Sequence, residues 1–378
     1  MAQQQMNPLQ QNMMARQRLL QSGISMVKQL PTVTQNNLNQ IRIPLQRMGI
    51  MTGVLLQFAL QVDVADAGAP AISLMAPFNI AKQVTYTDFA GVNRTKTNGW
   101  QLHTAQSFKQ GDALNSIPAM SGGSAAAPAL NYDTNILTMP TGAGNNQMVY
   151  FSIYVPMAYD PANDLTGAVL TQTNVGEHFI TVDLPQALNG ADPWQFPWGA
   201  SSTITLDSLS VQAFQFYIQP QAMTADFLPL IDLSTVYGFE GGYQTTSNIA
   251  ANQDVFVNYP NNRSVLSALI TYENNGAFTV NGTDINSIVL LANSNTHFRE
   301  MTPRMLRESM RNMVNSDIAP GSYFITSRRQ PILTQLYANV QAKFNIASVA
   351  GAGVTQLVSQ YEVQYASGSP LPGVTIAS

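Results

Sequence analysis

Four segments of the chain alternate apolar and polar residues with a period of two, which is typical of strands with one buried face. They cover residues 54–64, 149–155, 336–346 and 357–365. Between Ile204 and Ile218 the apolar positions shift from even to odd numbers and back, which predicts a further strand with a β-bulge. They are spread along the whole chain with turn signals between them, so the full set of strands is expected to be too large for one sandwich. The pattern and the length of 378 residues therefore predict two antiparallel β-sandwiches in series, joined near residue 226.

Helical spacing is rarer and is clearest at the N-terminus. Apolar residues recur there at steps of three, four and seven until Pro31 ends the pattern, so residues 1–30 are predicted to form an amphipathic helix. The residues that set this spacing are Met6, Leu9, Met13, Leu20, Ile24 and Val27. Short helices are also predicted for the turn 230–237 after Pro229, for residues 285–292, and from Thr302–Pro303 onward.

The charge is low and unevenly spread. Only 10% of the residues are charged, whereas soluble domains average about 25%, so much of the surface must carry amides and hydroxyls or be covered by partners. Residues 1–62 contain five basic residues and no acid, and the rest carries 12 basic and 21 acidic residues. The N-terminal segment is therefore either a solvated arm or a basic helix that docks on a partner or a surface. No stretch reaches the roughly 18 uninterrupted apolar residues of a transmembrane helix.

The sequence predicts no catalytic residue, cofactor or metal site. There is no cysteine, and no two of the three histidines have the spacing of a metal site on a helix. Neither a nucleophile elbow nor a phosphate-binding glycine loop is present. Pairs of carboxylates could be nominated for a glycosidase, but turns and helix caps explain them better: Asp160 with Asp164, and Asp226 with Asp232.

Two groups of residues are candidates for subunit interfaces. The loop with Trp194, Phe196 and Trp198 could stack on sugar rings, but burial against a neighbouring subunit is favoured because aromatic residues are enriched in interface cores. The second group is the basic cluster of Arg304, Arg307 and Arg311. It could be a solvated face paired with nearby glutamates, an intersubunit salt-bridge patch or an anion site.

Four segments, read together, resemble a known family. They are Gly99–His103 with Lys109–Gly111, Val155–Tyr159 with Asp164–Leu170, Leu228–Tyr237, and Gly282–Asn286. In this order, behind a Gln-rich N-terminal arm, they make the chain similar to the major capsid proteins of tectiviruses. These viruses are tailless icosahedral bacteriophages with double-stranded DNA and an internal membrane. The resemblance runs from about residue 40 to about residue 365.

The resemblance implies an all-β fold of two eight-stranded antiparallel jelly rolls in tandem, with an N-terminal amphipathic helix and a few short helices. It implies an arm at residues 1–40, a first jelly roll at 41–225, and a second jelly roll with a C-terminal tail at 226–378. The implied role is structural rather than enzymatic. Three chains would form a pseudo-hexagonal capsomer, and capsomers would build an icosahedral shell in the virion after synthesis in the bacterial cytoplasm.

The partners implied by the resemblance are other copies of the chain, the internal lipid membrane, and penton and minor capsid or membrane proteins. Direct sequence-specific binding of nucleic acid is not expected. Part of the arm is expected to face the membrane, through Met6, Leu9, Met13, Arg16, Arg18, Leu20, Ile24 and Lys28. The alternatives from the residues alone are a carbohydrate-binding β-sandwich protein and a β-sandwich glycosidase.

Overall fold

The structure is a computed structural model, and strands dominate it. It describes residues 8–65, 70–110, 139–140, 142–171, 176–220, 233–247, 249–274, 284–293, 296–314, 321–347 and 354–366.

Strands far outnumber helices among the described residues. The helices are α1 (Pro8–Ser22), α2 (Gly99–Gln110) and α3 (Pro303–Val314). The strands are β1 (Ile24–Gln29), β2 (Val33–Gln35), β3 (Ile41–Pro44), β4 (Ile50–Val64), β5 (Gln83–Thr87), β6 (Asn93–Thr97), β7 (Gly144–Pro156), β8 (Val169–Leu170), β9 (Phe179–Asp183), β10 (Asn189–Gly190), β11 (Trp198–Gly199), β12 (Ile204–Gln219), β13 (Thr235–Ser247), β14 (Gln253–Asn258), β15 (Ser264–Asn274), β16 (Ile285–Ala292), β17 (Thr296–Met301), β18 (Ser322–Thr326), β19 (Ile332–Leu333), β20 (Val340–Ile346) and β21 (Val354–Ala366).

The first half of the chain forms a jelly roll. One sheet has the strand order β1-β12-β4-β7, and the other has the order β3-β9-β5-β6. The chain crosses between the two sheets as it runs from β1 to β12, which is the connectivity of an eight-stranded jelly roll. Apolar side chains fill the space inside the roll, including those of a 3₁₀ turn before β5, where Phe78 meets Phe151 of β7 with ring centroids 5.7 Å apart.

The second half repeats this connectivity strand for strand. Its sheets have the orders β13-β21-β15-β18 and β14-β20-β16-β17. Strands β13, β21, β15 and β18 thus correspond to β1, β12, β4 and β7 of the first roll, and β14, β20, β16 and β17 correspond to β3, β9, β5 and β6. Two eight-stranded jelly rolls in tandem confirm the predicted fold class.

The predicted N-terminal helix is wrong in its second half. Helix α1 ends at Ser22, where the amide of Gly23 donates to the carbonyl of Leu19 at 2.7 Å, because glycine readily ends a helix. Residues 24–29 then form β1, which pairs antiparallel with β12. The segment predicted as an arm of 40 residues therefore contains the first strand of the first roll. Pairing with β12 outweighs the helical spacing of the apolar residues.

Other predicted elements have mixed outcomes. The strands at 54–64 and 149–155, the helix after Pro303 and the bulged strand 204–218 are confirmed, with register shifts at Leu206/Ser208 and Phe216/Tyr217. Residues 285–292 form strand β16 rather than a helix, since a short apolar run fits both periods. Tyr237 and Gly238 lie in β13, not in a helical turn, and residues 229–232 lie outside the described residues.

Two further boundaries differ from the prediction. Residues 334–336 form a 3₁₀ turn in which Leu336 is exposed, and strand β20 begins only at Val340. In β21 both faces are buried, including the side chains of Gln356, Gln360 and Glu362, because the strand lies between β13 and β15 and against the first roll. Sequence periodicity did not predict helix α2.

The two rolls join at a close approach of β6 to β13. A single parallel bridge links Lys96 to Glu240. A Cβ atom at Gly238 would collide with the backbone carbonyl of Arg94, and one at Gly241 would lie 2.7 Å from Oγ1 of Thr97. Glycine at these positions is therefore what lets the edge of one roll lie against the edge of the other.

Helix α2 fills the junction beside these strands. The side-chain amide of Gln101 donates to the carbonyl of Val358 in β21 at 3.0 Å. The amide of Gln360 lies 2.8 Å from Oγ1 of Thr97. At the other end of the helix, Phe108 stacks on Phe324 of β18 with centroids 4.8 Å apart. Helix α2 thus belongs to the first roll but packs across the outer side of a second-roll sheet.

Candidate assembly surfaces

The N-terminal helix is docked on the body of the chain. Ala15 and Leu19 are buried in a small cluster with Ile50 and Ile218. Arg16 donates to Oγ1 of Thr166 at 2.7 Å and lies 3.4 Å from a carboxylate oxygen of Asp164. Helix α1 therefore covers one end of the sheet β1-β12-β4-β7 through an apolar contact and an ion pair.

The residues predicted to face a membrane do not form one surface. Met13 and Arg18 are exposed on α1, with the neighbouring Met14. Arg16 and Leu20 instead turn toward the chain's own body.

The other members of that predicted set lie elsewhere. Ile24 and Lys28 belong to strand β1 and are exposed there. Leu9 lies in α1, and Met6 is outside the described residues. Among the side chains of α1 from residue 10 onward, the large apolar ones that are exposed are Met13 and Met14.

The aromatic loop is covered within one chain at two of its three aromatic residues, so Trp194 and Trp198 do not need cover from a neighbouring subunit, whereas Phe196 is only partly buried. Trp194 and Trp198 are buried within the single chain. The indole of Trp194 meets that of Trp100 edge to face, with centroids 5.7 Å apart, and Phe196 packs over Gly190. The loop packs against helix α2 and against the segment before β5, where the side-chain amide of Asn79 donates to the carbonyls of Pro193 and Phe196.

The predicted arginine cluster divides between the interior and the surface. Arg304 and Arg311 are exposed, and Arg311 lies 3.6 Å from Glu308 one turn away. Arg307 is 7% exposed, because α3 turns this side of the helix toward β18. Only Arg304 and Arg311 can contribute to a contact with another chain.

A buried network of charged and hydroxyl side chains lies next to the junction of the two rolls. The carboxylate of Glu362 is fully buried and accepts hydrogen bonds from Tyr237 (2.9 Å) and Ser267 (2.7 Å). Arg328 pairs with it at 3.0 Å. Gly167, at a φ of +87°, packs so closely on Tyr237 that a Cβ atom there would collide with it. The first-roll loop and the second-roll sheet are thus locked together at Tyr237.

Histidines and carboxylates form no reaction centre in the described part of the chain. His178 stacks on Phe89 with centroids 4.1 Å apart, and burial lowers its pKa to about 4. Asp160 accepts from the backbone amides of Ala162 and Asn163, as a turn residue does. Asp226 and Asp232 lie outside the described residues. Among the described residues no group of three or more His, Asp or Glu side chains could hold a metal ion, and no helix is long and apolar enough to cross a membrane.

The first roll presents an apolar sheet surface that sequence analysis did not predict as functional. We call it the first-roll outer face. It is the outward side of the sheet β1-β12-β4-β7, where a row of polar side chains, Gln212, Gln57 and Ser152, crosses a mostly apolar surface. Its apolar members are exposed or partly exposed: Val27, Leu55, Met148, Tyr150, Tyr154, Phe214 and Phe216. The pairing register of the strands places several of these side chains next to one another. For example, Leu55 of β4 lies between Phe214 of β12 and Tyr154 of β7. The available signal was in β7 and β12, where apolar residues such as Tyr150 and Phe214 stand at even positions although the buried face of these strands is formed by odd positions.

The sheet β14-β20-β16-β17 of the second roll is mainly polar on its outward side, with Phe256 as an exposed apolar residue on β14. Asn286 donates to Asn345 at 2.8 Å, and Asn345 donates to Asp254 at 2.8 Å. The hydrogen bond from Asn345, with the nearby Lys343, holds the pKa of Asp254 below its usual range. The exposed side of this sheet is therefore held together by a network of amides and a carboxylate.

Comparison with known proteins decides the family. A family model described as the P3 major capsid protein N-terminal matches residues 2–206, and the corresponding C-terminal model matches residues 234–369. The chain belongs to the P3 major capsid protein family. It is 28% identical over 341 residues to the Major capsid protein P3 of Enterobacteria phage PRD1, covering 87% of this chain and 85% of that protein.

Solved structures agree on the fold. The crystal structure of the STIV MCP is 13% identical and has a TM-score of 0.64 over 93% of this chain and 100% of that one. The structure of PBCV-1 VP54 fitted into the virophage Sputnik is 11% identical, with a TM-score of 0.60 over 93% and 98% of the two chains. Both are double jelly-roll capsid proteins. The chain is thus a structural component of a bacteriophage capsid that assembles with itself, not an enzyme.

The buried network around Glu362 gives a stability prediction. In Glu362→Gln the neutral amide leaves Arg328 without its carboxylate partner in a largely buried site. We expect the free energy of unfolding, measured by urea denaturation, to fall by about 2–4 kcal/mol. The control is Glu177→Gln, which removes the exposed pair with Arg42 and should change the value by less than about 1 kcal/mol. Equal effects of the two variants would contradict the assigned role of Glu362.

Proposed function

We propose that three copies of this chain form a trimeric, pseudo-hexagonal capsomer, and that such capsomers tile an icosahedral shell around an internal membrane and a double-stranded DNA genome. The observation that carries the proposal is the strand-for-strand repetition of one jelly roll in the other, with the two rolls fixed edge to edge. Three such pairs supply six similar rolls, so an object with threefold symmetry occupies a sixfold lattice position.

Helix α1 is the part of the chain that we propose faces the membrane. Its exposed side carries Met13, Met14 and Arg18, and the first 62 residues contain no acid. Methionine side chains can enter the boundary of the lipid tails, and each basic residue near an anionic surface contributes about 1 kcal/mol. Penton proteins and minor capsid or membrane proteins are the remaining proposed partners.

The molecular mass of the purified protein in solution tests whether it forms a trimer. Native mass spectrometry of the purified chain at sub-micromolar concentration should show a homotrimer, because permanent partners commonly bury roughly 2,000 Å² or more and resist dilution. A well-folded monomer at this concentration would refute the capsomer proposal.

The membrane contact is tested with the capsomer and vesicles. We expect the triple variant Met13→Gln, Met14→Gln and Arg18→Gln to keep the trimer but to lose most of its co-sedimentation with anionic phospholipid vesicles. Leu336→Gln is the matched control, since Leu336 is an exposed apolar residue far along the chain, and it should sediment like the unmodified protein. If the triple variant also sediments normally, α1 is not the membrane contact.

A further inference from the structure

Helices α2 and α3 occupy the same place in their two rolls. Each has 12 residues and begins two residues after its preceding strand, β6 or β17. Each is capped by the residue before it. Asn98 accepts from the amide of Gln101 at 2.7 Å, and Thr302 accepts from the amide of Met305 at 3.2 Å. Position by position, α3 is therefore the second-roll counterpart of α2.

The two helices contact each other, but their surroundings differ on the side that α2 turns toward the neighbouring roll. Helix α2 is covered by the neighbouring roll: Gln101 at its third position and Phe108 at its tenth contact the outer side of the sheet β13-β21-β15-β18. The third and tenth positions of α3 are Met305 and Asn312, and both are exposed. Met305 is 49% exposed, whereas Gln101 is 0% exposed. The side of α3 that corresponds to the covered side of α2 is uncovered in one chain.

The sheet that would correspond to the covered one is also uncovered. Strands β1, β12, β4 and β7 are the first-roll counterparts of β13, β21, β15 and β18, and their outward side is the first-roll outer face. Its exposed members include Tyr150 at 42% and Met148 at 40%. Helix α1 covers only the end of this sheet near Ile50 and Ile218.

We infer that in the assembled protein α3 of one chain packs across the first-roll outer face of the next chain, repeating between chains the contact that α2 makes within a chain. The inference rests on the proposed trimer. A ring of six similar rolls needs six similar junctions, and three of them are the α2 junctions inside the chains. The other three must join a second roll to the first roll of a neighbouring copy, which brings together the two surfaces left uncovered.

The charges of helix α3 and of the first-roll sheet are compatible with a contact between them. The four strands of the first-roll sheet carry two acids, Asp63 and Asp207, and one base, Lys28. Partial burial and the neighbouring Asp63 carboxylate raise the pKa of Asp207. Helix α3 exposes two arginines and one glutamate. Its net positive surface therefore meets a sheet of net negative charge.

The absence of cysteine allows a direct test by cross-linking. In α2 the tenth position contacts β18, so the tenth position of α3 should contact β7 of the next chain. The double variant Asn312→Cys with Tyr150→Cys, treated with a short bismaleimide, should give covalent dimers and trimers and nothing larger, because three junctions close the ring. Asn312→Cys with Phe256→Cys is the control. Phe256 is as exposed as Tyr150 (41%) but lies on β14, and this pair should remain monomeric under denaturing electrophoresis.

A second variant tests the contact between α3 and the first-roll outer face without introducing cysteines. Tyr150→Glu with Met148→Glu places charge on the first-roll outer face and should raise the dissociation constant of the trimer at least about tenfold. If native mass spectrometry shows a trimer but the Asn312/Tyr150 pair gives no products between chains, the interface is wrong and the trimer stands. A preparation that is monomeric before any substitution would overturn both.

Discussion

The close approach of β6 to β13 is the constraint on which the rest of the molecule depends. It sets the two jelly rolls edge to edge, and it is possible because Gly238 carries no side chain where the carbonyl of Arg94 passes. Once the edges meet, α2 lies across the second-roll sheet, with Phe108 on Phe324. The loop that contains Gly167 then closes over Tyr237, and α1 docks on that loop through Arg16. Arm, first roll and second roll thus converge on one junction.

This junction explains the unusual composition of the chain. The contact between the rolls combines apolar packing with buried amides and hydroxyls: Gln101 donates to the carbonyl of Val358, and Gln360 bonds to Thr97. Charges are few, and where one is fully buried, as in Glu362, several donors surround it. A chain with many covered surfaces avoids burying unpaired charged side chains in this way. Part of the remaining apolar surface lies on one sheet of the first roll, at Val27, Met148 and Tyr150.

Sequence reasoning predicted the elements whose periodicity is strong. The strand through Leu56 and Phe58 was evident because one face is buried. The strand at Ile24 was not, since all six residues of β1 are exposed and only pairing with β12 holds it extended. The sequence could not show whether Trp194 and Trp198 are buried inside one chain or between two subunits, because aromatic residues are favoured in both places. The role of α3 was also hidden, because it emerges only when the topologies of the two rolls are compared.

The central claim is that the two rolls fold as one unit through the Gly238 contact. All three tryptophans, Trp100, Trp194 and Trp198, precede the second roll, so their fluorescence reports on the first roll while far-ultraviolet circular dichroism reports on both. In urea the two signals should share one midpoint. Gly238→Ala should lower the free energy of unfolding by about 2 kcal/mol or more, whereas Gly142→Ala, with open space around it, should not. Separate midpoints in the unmodified chain, or equal stability of the two variants, would contradict the account.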